Sequence, residues 1–291
     1  MSFTRIIAVV VTFKRYVELE LTLNAILEEG IQSCDILVVD NTPISIREFK
    51  LPHKFPEVNW IYPSQNIASA GGFAQGMEEA VKRGADWVWL FNDDSRPMKG
   101  ALKSLKCACE GANPPDLVKI SHLNSDGSTT LLNWEGVKIP KKVPVSKNLQ
   151  DSDLVTFDGA LIATKVIEGI GACDPEYFMG TYEFDFCIKA KKAGFRIATL
   201  PNGLLEDGKL GSQGGNPPWR QYYNTRNHLW LGFHLGSPQI IWAWFKREAK
   251  QTVHILLKGD RKQERLAFKY RAIRDAVLGR RGRQYDPQQY N

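Results

Sequence analysis

The sequence Trp87-Val-Trp-Leu-Phe-Asn-Asp-Asp94 contains both the clearest strand of the chain and its clearest polar cluster. Five consecutive apolar residues are typical of a strand that is buried on both faces of a parallel sheet. Asn92, Asp93 and Asp94 come directly after this strand. Because the ligands of open α/β sheets bind beyond the carboxyl ends of the strands, this tripeptide is a candidate binding site.

Two similar apolar runs precede this strand, and helical patterns separate the runs. Residues 6–11 and 36–39 have the composition of buried strands, and the polar residues 12–15 and Asp40-Asn41 follow them. Strands that alternate with helices predict an α/β fold with a mostly parallel central sheet flanked by helices. In such a sheet we expect the three polar segments to converge at one edge.

The composition is that of an ordinary globular protein. Of 291 residues, 43% are apolar and 24% are charged, which excludes a wholly disordered, collagen-like or coiled-coil chain. Five scattered cysteines without a Cys-x-x-Cys pair indicate neither a disulfide framework nor a structural zinc site. The first apolar run is too short for a signal peptide, and no stretch reaches the ~20 apolar residues that span a bilayer. We therefore expect a cytoplasmic protein without a transmembrane helix.

Positive charge is concentrated near the C-terminus. Residues 246–283 carry thirteen Lys and Arg against four Asp and Glu, a net charge of +9 in a chain whose total is +6. Five aromatic residues lie just before this segment: Trp230, Phe233, Trp242, Trp244 and Phe245. Trp beside Lys and Arg on an amphipathic helix is typical of an element that binds an anionic membrane surface. A helix packed on the body with its charged face in water is the alternative, and nucleic acid is the partner that we expect least.

The two adjacent carboxylates after the predicted strand at residues 87–91 need a compensating partner. Asp93 and Asp94 repel each other unless a cation or a set of hydrogen-bond donors balances them. A divalent cation that also binds phosphate oxygens is a common solution, and Mg²⁺ and Mn²⁺ prefer oxygen ligands. A turn or a helix N-cap before Pro97 is the alternative interpretation.

The segment Ala70-Gly-Gly-Phe-Ala-Gln-Gly76 begins a predicted helix. Its glycines allow the backbone to approach a ligand closely, and free N–H groups at a helix start suit a phosphate. A tight loop without a ligand is the alternative. The segment is neither a Walker loop nor a Gly-x-Gly-x-x-Gly motif, which disfavours a P-loop ATPase and a standard dinucleotide fold.

Glu183 and Asp185 precede a basic helical segment that contains Lys189, Lys191 and Lys192. A carboxylate at this place is a candidate general base for an alcohol nucleophile. The alternative is that the acidic residues complement the dipole at the start of a helix.

Taken in order, these segments resemble family 2 of the inverting glycosyltransferases, whose nucleotide-sugar domain has the GT-A fold. The likeness covers about residues 5–230 and rests on five segments: Val10-Val-Thr-Phe-Lys-Arg15, Leu37-Val-Val-Asp-Asn41, Asn66…Gly76, Trp89-Leu-Phe-Asn-Asp-Asp-Ser-Arg-Pro97 and Phe178…Cys187. The pattern Asn66…Ala70-Gly-Gly-Phe73…Gly76 most resembles bacterial galactofuranosyl- and rhamnosyltransferases, and Tyr222-Tyr-Asn-Thr-Arg-Asn227 is similar to a later segment of these enzymes.

The resemblance implies a role for each matching residue. Glu183, with Asp185 close behind it, falls on the catalytic base. Contacts with the nucleotide sugar, its diphosphate or the acceptor are implied for nine residues: Thr12, Arg15, Asp40, Asn66, Gly71, Gly72, Asp93, Trp219 and Arg220. The metal motif is implied for Asn92, Asp93 and Asp94.

The sequence departs from the family pattern at two places. Asn92 stands where the metal motif has its first carboxylate. Residues 204–211 contain no His, although many family members have a metal-ligating His there. Glu206 or Asp207 could supply an oxygen ligand instead, or Lys209 and Arg220 could offset the charge.

The resemblance also implies an activity and a domain organisation. A Rossmann-like, α/β GT-A domain would cover residues 1–235, with a nucleotide-sugar half over about residues 1–115 and an acceptor half over 116–235. Residues 236–291 would form a basic, aromatic helical extension. The implied reaction moves galactofuranose or rhamnose from a UDP or dTDP donor to a glycan or lipid-linked glycan with inversion and a divalent metal.

The resemblance implies that the protein acts in cell-surface polysaccharide synthesis, at the inner face of a bacterial cytoplasmic membrane. A homo-oligomer is compatible with this setting. Two other functions stay open at this point. A sugar nucleotidyltransferase shares an α/β nucleotide site with acidic metal ligands. A non-catalytic membrane scaffold of the same fold would explain Asn92 and the absent His.

Overall fold

The computed structural model describes residues 5–111, 113–207 and 217–285 of the chain. Within these ranges nine strands form one central sheet, and two further strands form a separate hairpin. The strands of the central sheet are β1 (Ile6–Thr12), β2 (Ile36–Asp40), β3 (Asn59–Ile61), β4 (Trp87–Asn92), β5 (Ser95–Pro97), β6 (Leu117–His122), β9 (Gln150–Asp151), β10 (Ala160–Ala163) and β11 (Ile197–Asp207). The hairpin strands are β7 (Ser128–Trp134) and β8 (Lys138–Pro144).

Helices follow most of the strands of the sheet. In the described part of the chain they are α1 (Tyr16–Glu28), α2 (Lys50–Lys54), α3 (Ala68–Lys82), α4 (Ala101–Cys109), α5 (Thr164–Ile170), α6 (Tyr182–Lys192), α7 (Pro218–His234), α8 (Pro238–Lys258) and α9 (Lys262–Val277). None of these helices is long and apolar enough to cross a membrane.

The sheet has the strand order β3-β2-β1-β4-β10-β6-β11-β5, and β9 pairs with β11. The first four strands are parallel, β10 is antiparallel to both of its neighbours, and β6 is parallel to β11. Six of the nine strands therefore run in one direction. The predicted α/β fold with a mostly parallel central sheet is confirmed.

The carboxyl ends of β1, β2 and β4 meet at one edge of the sheet. Thr12 is the Cα partner of Asp40, and Val11 is the Cα partner of Asn92. The register thus brings the polar segments that follow the three strands together, as the α/β pattern predicts.

Helix α3 lies close to β1 because two of its three glycines face that strand. A Cβ atom on Gly72 would lie 2.6 Å from Val11 Cγ1, and one on Gly76 would lie 2.3 Å from Val9 Cγ1. Carbon atoms that are not bonded do not approach so closely, so any larger residue would push the helix away from the sheet. The glycines therefore explain how this helix covers the central strand.

Helices α8 and α9 pack on α7 and on each other. The Tyr222 hydroxyl of α7 donates a hydrogen bond to Asp275 of α9 at 2.9 Å, and Lys269 of α9 pairs with Glu248 of α8 at 2.8 Å. All four side chains are buried. The basic C-terminal extension is helical, as expected, and it forms part of the packed body. The proposed domain boundary at residue 235 stays a prediction.

Candidate functional site

An arginine joins two carboxylates at the edge where β1 and β4 end. Arg15 Nη1 lies 3.1 Å from Asp93 Oδ1, and Arg15 Nη2 donates to Asp94 Oδ2 at 2.8 Å. Thr12 Oγ1 donates a hydrogen bond to Asp93 Oδ2 at 2.8 Å. The repulsion between the adjacent carboxylates is thus reduced within the chain itself, by a guanidinium and a hydroxyl.

The two carboxylates differ in their environment. The Asp93 side chain is 7% exposed, and burial raises its pKa to about 7 although Arg15 and Thr12 oppose this shift. The Asp94 side chain is 16% exposed and is therefore more accessible to a ligand. Asp93 is suited to hold Thr12 and Arg15 in place, and Asp94 is suited to contact a bound molecule.

The predicted metal ligands are Asn92, Asp93, Asp94 and Asp207. Asn92 ends β4, and Asp207 in β11 is the Cα partner of Ser95, which follows Asp94 directly. The side chain of Asp207 and all of Lys209 lie outside the described residues. Among the side chains that the structure describes, no three Asp, Glu, His or Cys residues are grouped so that they could hold a metal ion. The metal site therefore stays a prediction.

Asp40 lies at the predicted edge, but its carboxylate already has partners in the chain. It accepts hydrogen bonds from the Tyr16 hydroxyl and the Thr42 N–H, both at 2.9 Å, and Arg47 Nε lies 3.5 Å away. The residue is 1% exposed. These contacts hold the loop after β2 in place, and the expected direct contact with a nucleotide stays a prediction.

Three of the first four N–H groups of α3 have acceptors in the described part of the chain. The N–H of Ala68 donates to Asn66 Oδ1 at 2.8 Å, and that of Gly71 donates to a backbone carbonyl at 3.2 Å. The N–H of Ala70 donates to the carbonyl of Phe178 at 3.1 Å. The geometry therefore favours close packing over a cradle of free N–H groups as the reason for the double glycine. Whether Asn66 and the glycines line a nucleotide-sugar pocket stays a prediction.

Glu183, the predicted general base, lines a cavity of about 390 Å³. The cavity lies between the β7–β8 hairpin and helices α6, α7 and α8, and its charged, polar and aromatic lining includes Trp134, Lys138, Glu183, Asn224, His228 and Arg247. The backbone N–H of Phe157 donates to Glu183 Oε1 at 2.7 Å. This bond holds the carboxylate at the wall of the cavity.

The surroundings of Glu183 shift its pKa towards neutral pH. Burial raises its pKa to about 7, and the charge of Asp158 adds to the shift, whereas Lys119 and Lys138 oppose it. A carboxyl group with a pKa near the working pH accepts and releases a proton readily, as general base catalysis requires.

A second cavity of about 250 Å³ lies beside the first, and Lys138 lines both. In it, Asp158 Oδ2 lies 2.7 Å from Lys119 Nζ and 2.6 Å from His122 Nε2. Burial alone would raise the pKa of Asp158, but Lys119 and His122 outweigh it and lower the pKa. No motif in the sequence indicates this group. The available signal was Lys119, a single cation inside an apolar strand.

Asp185, the second candidate base, has a different environment from Glu183. It is buried, it pairs with Lys189 at 2.6 Å, and its Oδ1 has no hydrogen-bond partner among the described residues. Burial raises its pKa, and Lys189 opposes this shift. Asp185 does not belong to the described lining of the Glu183 cavity. The geometry therefore favours Glu183 as the base and gives Asp185 a structural ion pair within α6.

Trp219 and Arg220 lie at the start of α7 and are not among the residues that line the Glu183 cavity. Trp219 is buried, with its ring centre 6.5 Å from that of Tyr223, and the Arg220 guanidinium lies 5.6 Å from the Trp219 ring. Burial lowers the pKa of Arg220. Their contact with the diphosphate or the acceptor stays a prediction. Arg247 of α8, which no sequence motif indicates, lines the cavity instead.

Comparison with known proteins identifies two kinds of similar glycosyltransferase. Galactofuranosyltransferase GlfT1 of Mycolicibacterium smegmatis is 26% identical over 266 residues, which cover 82% of this chain and 85% of the relative. The dTDP-rhamnosyl transferase RfbF of Shigella flexneri is 24% identical over 246 residues, which cover 78% of this chain and 80% of the relative. No protein-family model matches the chain.

Solved structures of GT-A glycosyltransferases have the same fold. Residues 1–349 of S. aureus TarS, in complex with UDP-GlcNAc, match with a TM-score of 0.60 at 14% identity over 94% of this chain and 81% of that chain. GalNAc-T7 with UDP, GalNAc and Mn²⁺ matches with a TM-score of 0.60 at 12% identity over 79% of this chain and 48% of that chain. The prediction of a GT-A glycosyltransferase that resembles galactofuranosyl- and rhamnosyltransferases is confirmed.

Proposed function

We propose that this GT-A glycosyltransferase moves galactofuranose or rhamnose from a UDP or dTDP donor to a hydroxyl group of a glycan, with inversion at the anomeric carbon. The relatives named for galactofuranosyl and dTDP-rhamnosyl transfer support these two sugars. The polar edge beyond β1, β2 and β4 would bind the donor, because ligands of α/β sheets bind there. The Glu183 cavity would bind the acceptor.

The observation that carries this proposal is the Glu183 carboxylate in its cavity. It has a pKa of about 7, it is held by the Phe157 N–H, and it lines a space of about 390 Å³. An acceptor hydroxyl in this space would lose its proton to Glu183 as it attacks the anomeric carbon. Attack from the side opposite the leaving nucleoside diphosphate inverts the configuration of the sugar.

The donor edge would bind the leaving diphosphate with positive charge. The single charge of Arg15 is shared between Asp93 and Asp94, so a further cation would be needed at this edge. Asp94 and, by its backbone register, Asp207 would hold a divalent cation, for which their oxygen atoms are suitable ligands. When bound, Mg²⁺ or Mn²⁺ would neutralise negative charge that develops on the diphosphate.

A pair of substitutions in α6 tests the assignment of the base. We expect Glu183→Gln to lower kcat by about 10²–10⁴-fold with little loss of donor binding, because the variant keeps its size but accepts no proton. Asp185→Asn should instead lower the free energy of unfolding, because Lys189 loses its buried partner. The release of nucleoside diphosphate and thermal unfolding measure the two effects.

The two variants must differ for this assignment to stand. If Asp185→Asn abolishes turnover in a folded protein while Glu183→Gln stays active, Asp185 is the base. If neither variant loses turnover, the α6 carboxylates have no catalytic role.

Substitution of Asp94 tests the donor edge and the metal together. We expect Asp94→Ala to lose at least ~10²-fold in turnover, about 3 kcal/mol of transition-state stabilisation, and a chelator to inhibit the wild type. The matched control is Asp35→Ala, which removes a carboxylate at the opposite, amino-terminal side of β2 and should stay active. Full activity of Asp94→Ala, or of the wild type in chelator, would contradict the metal site.

We further propose that α8 holds the enzyme at an anionic membrane surface, at the cytoplasmic face where a lipid-linked glycan would be the acceptor in bacterial polysaccharide synthesis. Trp242 and Phe245 are 60% and 54% exposed, and their rings stack with centres 5.7 Å apart. Val253 and Leu256 follow at helical spacing and are also exposed. Lys246 lies 5.9 Å from the Trp242 ring, so cationic and apolar groups share this surface.

Sedimentation with vesicles tests the membrane proposal. Anionic vesicles should pellet the wild type at low salt, neutral vesicles should pellet less, and duplex DNA should not compete. A double substitution, Trp242→Ser with Phe245→Ser, should weaken pelleting, because the apolar contact is lost. The control is Val17→Ser, at an apolar residue of α1 that is 74% exposed. Pelleting that is unchanged in the double variant, or absent in the wild type, would refute the proposal.

A further inference from the structure

Helix α8 also contributes to the cavity of the candidate base, on the side away from its exposed apolar surface. Arg247 lines the cavity together with Glu183 and with Lys138, which begins β8. Two cations and one carboxylate therefore surround the space in which the proposed acceptor hydroxyl would lie. His228 adds no charge at neutral pH, because burial and Arg247 lower its pKa to about 4.

Arg247 is only partly neutralised by the chain. It pairs with Glu248 at 2.8 Å, but the same carboxylate also pairs with Lys269 at 2.8 Å. One negative charge thus faces two positive charges. The Arg247 side chain is 31% exposed, and its Nη1 donates no hydrogen bond to a residue that the structure describes. A guanidinium in this state has both charge and a donor to offer a ligand.

Lys138 offers a second charge to the same space. It is exposed, and no ion pair joins it to any residue in the described ranges. Its ammonium lies 5.8 Å from the Phe184 ring and is near enough to lower the pKa of Glu183. Lys138 lines both neighbouring cavities, so a group bound by it would lie between them.

An aromatic wall completes the cavity. The Trp134 ring centre lies 5.8 Å from that of Phe184 and 6.1 Å from that of His228. Flat apolar rings beside a few polar groups are typical of small-molecule sites, and they suit the apolar face of a sugar ring. The wall and the two cations therefore favour a ligand that is both a sugar and an anion.

From these contacts we propose that Arg247 and Lys138 bind an anionic group of the acceptor, a phosphate or a carboxylate close to the hydroxyl that is glycosylated. The proposal rests on the proposed function, because it takes Glu183 as the base of this cavity. It makes α8 part of the substrate site. The specificity that follows is for charged glycan acceptors over neutral ones of the same shape.

Equilibrium binding to the full chain tests the proposal without any need for turnover. Isothermal calorimetry would compare three synthetic ligands: a neutral alkyl glycoside, the corresponding glycosyl phosphate with the same alkyl group, and the corresponding alkyl uronate. We expect the wild type to bind at least one of the two anionic ligands about tenfold or more tightly than the neutral one. Which one binds distinguishes a phosphate at the reducing end from a carboxylate on the ring.

Substitutions identify the residues responsible. Arg247→Gln and Lys138→Met should each weaken the anionic ligand about tenfold, or about 1.4 kcal/mol, with little change for the neutral one. Arg247→Lys should recover part of the affinity because it keeps the charge. The control is Lys250→Gln, an exposed cation of the same helix outside the cavity lining, which should bind like the wild type.

Three results would overturn the proposal: equal affinity of the wild type for charged and neutral ligands, equal weakening of both by Arg247→Gln, or binding of the anion that is unaffected by either substitution. A rise in the Kd for UDP or dTDP in Arg247→Gln, with acceptor binding unchanged, would assign the arginine to the donor instead. Failure of the enzyme to release nucleoside diphosphate would count against the proposed function and leave these binding results standing on their own.

Discussion

A fully buried apolar strand, β1, lies between β2 and β4. The polar edge that we propose binds the donor depends on this arrangement. No charge can be placed along such a strand without a large cost of desolvation. The polar residues of the three strands therefore gather beyond their carboxyl ends, where Arg15 bridges Asp93 and Asp94. The glycines of α3 allow this helix to cover β1 closely. The burial of β1 on both faces therefore determines both the core and the place of the polar edge.

The candidate base depends on groups from several elements. Burial and Asp158 raise the pKa of Glu183, while Lys119 and Lys138 lower it, and the balance lies near neutral pH. Lys119 comes from β6, Asp158 precedes β10 and Lys138 begins the hairpin strand β8. Helix α8 closes the same cavity with Arg247. The C-terminal extension thus contributes a residue to the candidate site, as well as the surface that we propose binds a membrane.

The sequence predicts the parts of this arrangement that local patterns encode. Apolar runs and the polar residues after them give the parallel sheet and its edge, and the order of the motifs gives Glu183. The roles of Asp158, Lys119 and Arg247 arise from contacts between residues far apart in the chain, for example Lys119 with Asp158. Such contacts leave no periodic signal. The packing role of Gly72 leaves no local signal for the same reason, since its neighbour Val11 lies far from it along the sequence, in β1.

The pH dependence of kcat/KM for sugar transfer tests the central claim, that Glu183 is a base tuned by its neighbours. From about pH 5.5 to 8.5 we expect activity to rise with an apparent pKa near 7, because only the ionised carboxylate accepts a proton. In Asp158→Asn the rise should move to lower pH, since the loss of a negative charge makes ionisation of Glu183 easier. A flat profile in the wild type, or a rise that Asp158→Asn leaves in place, would contradict the account.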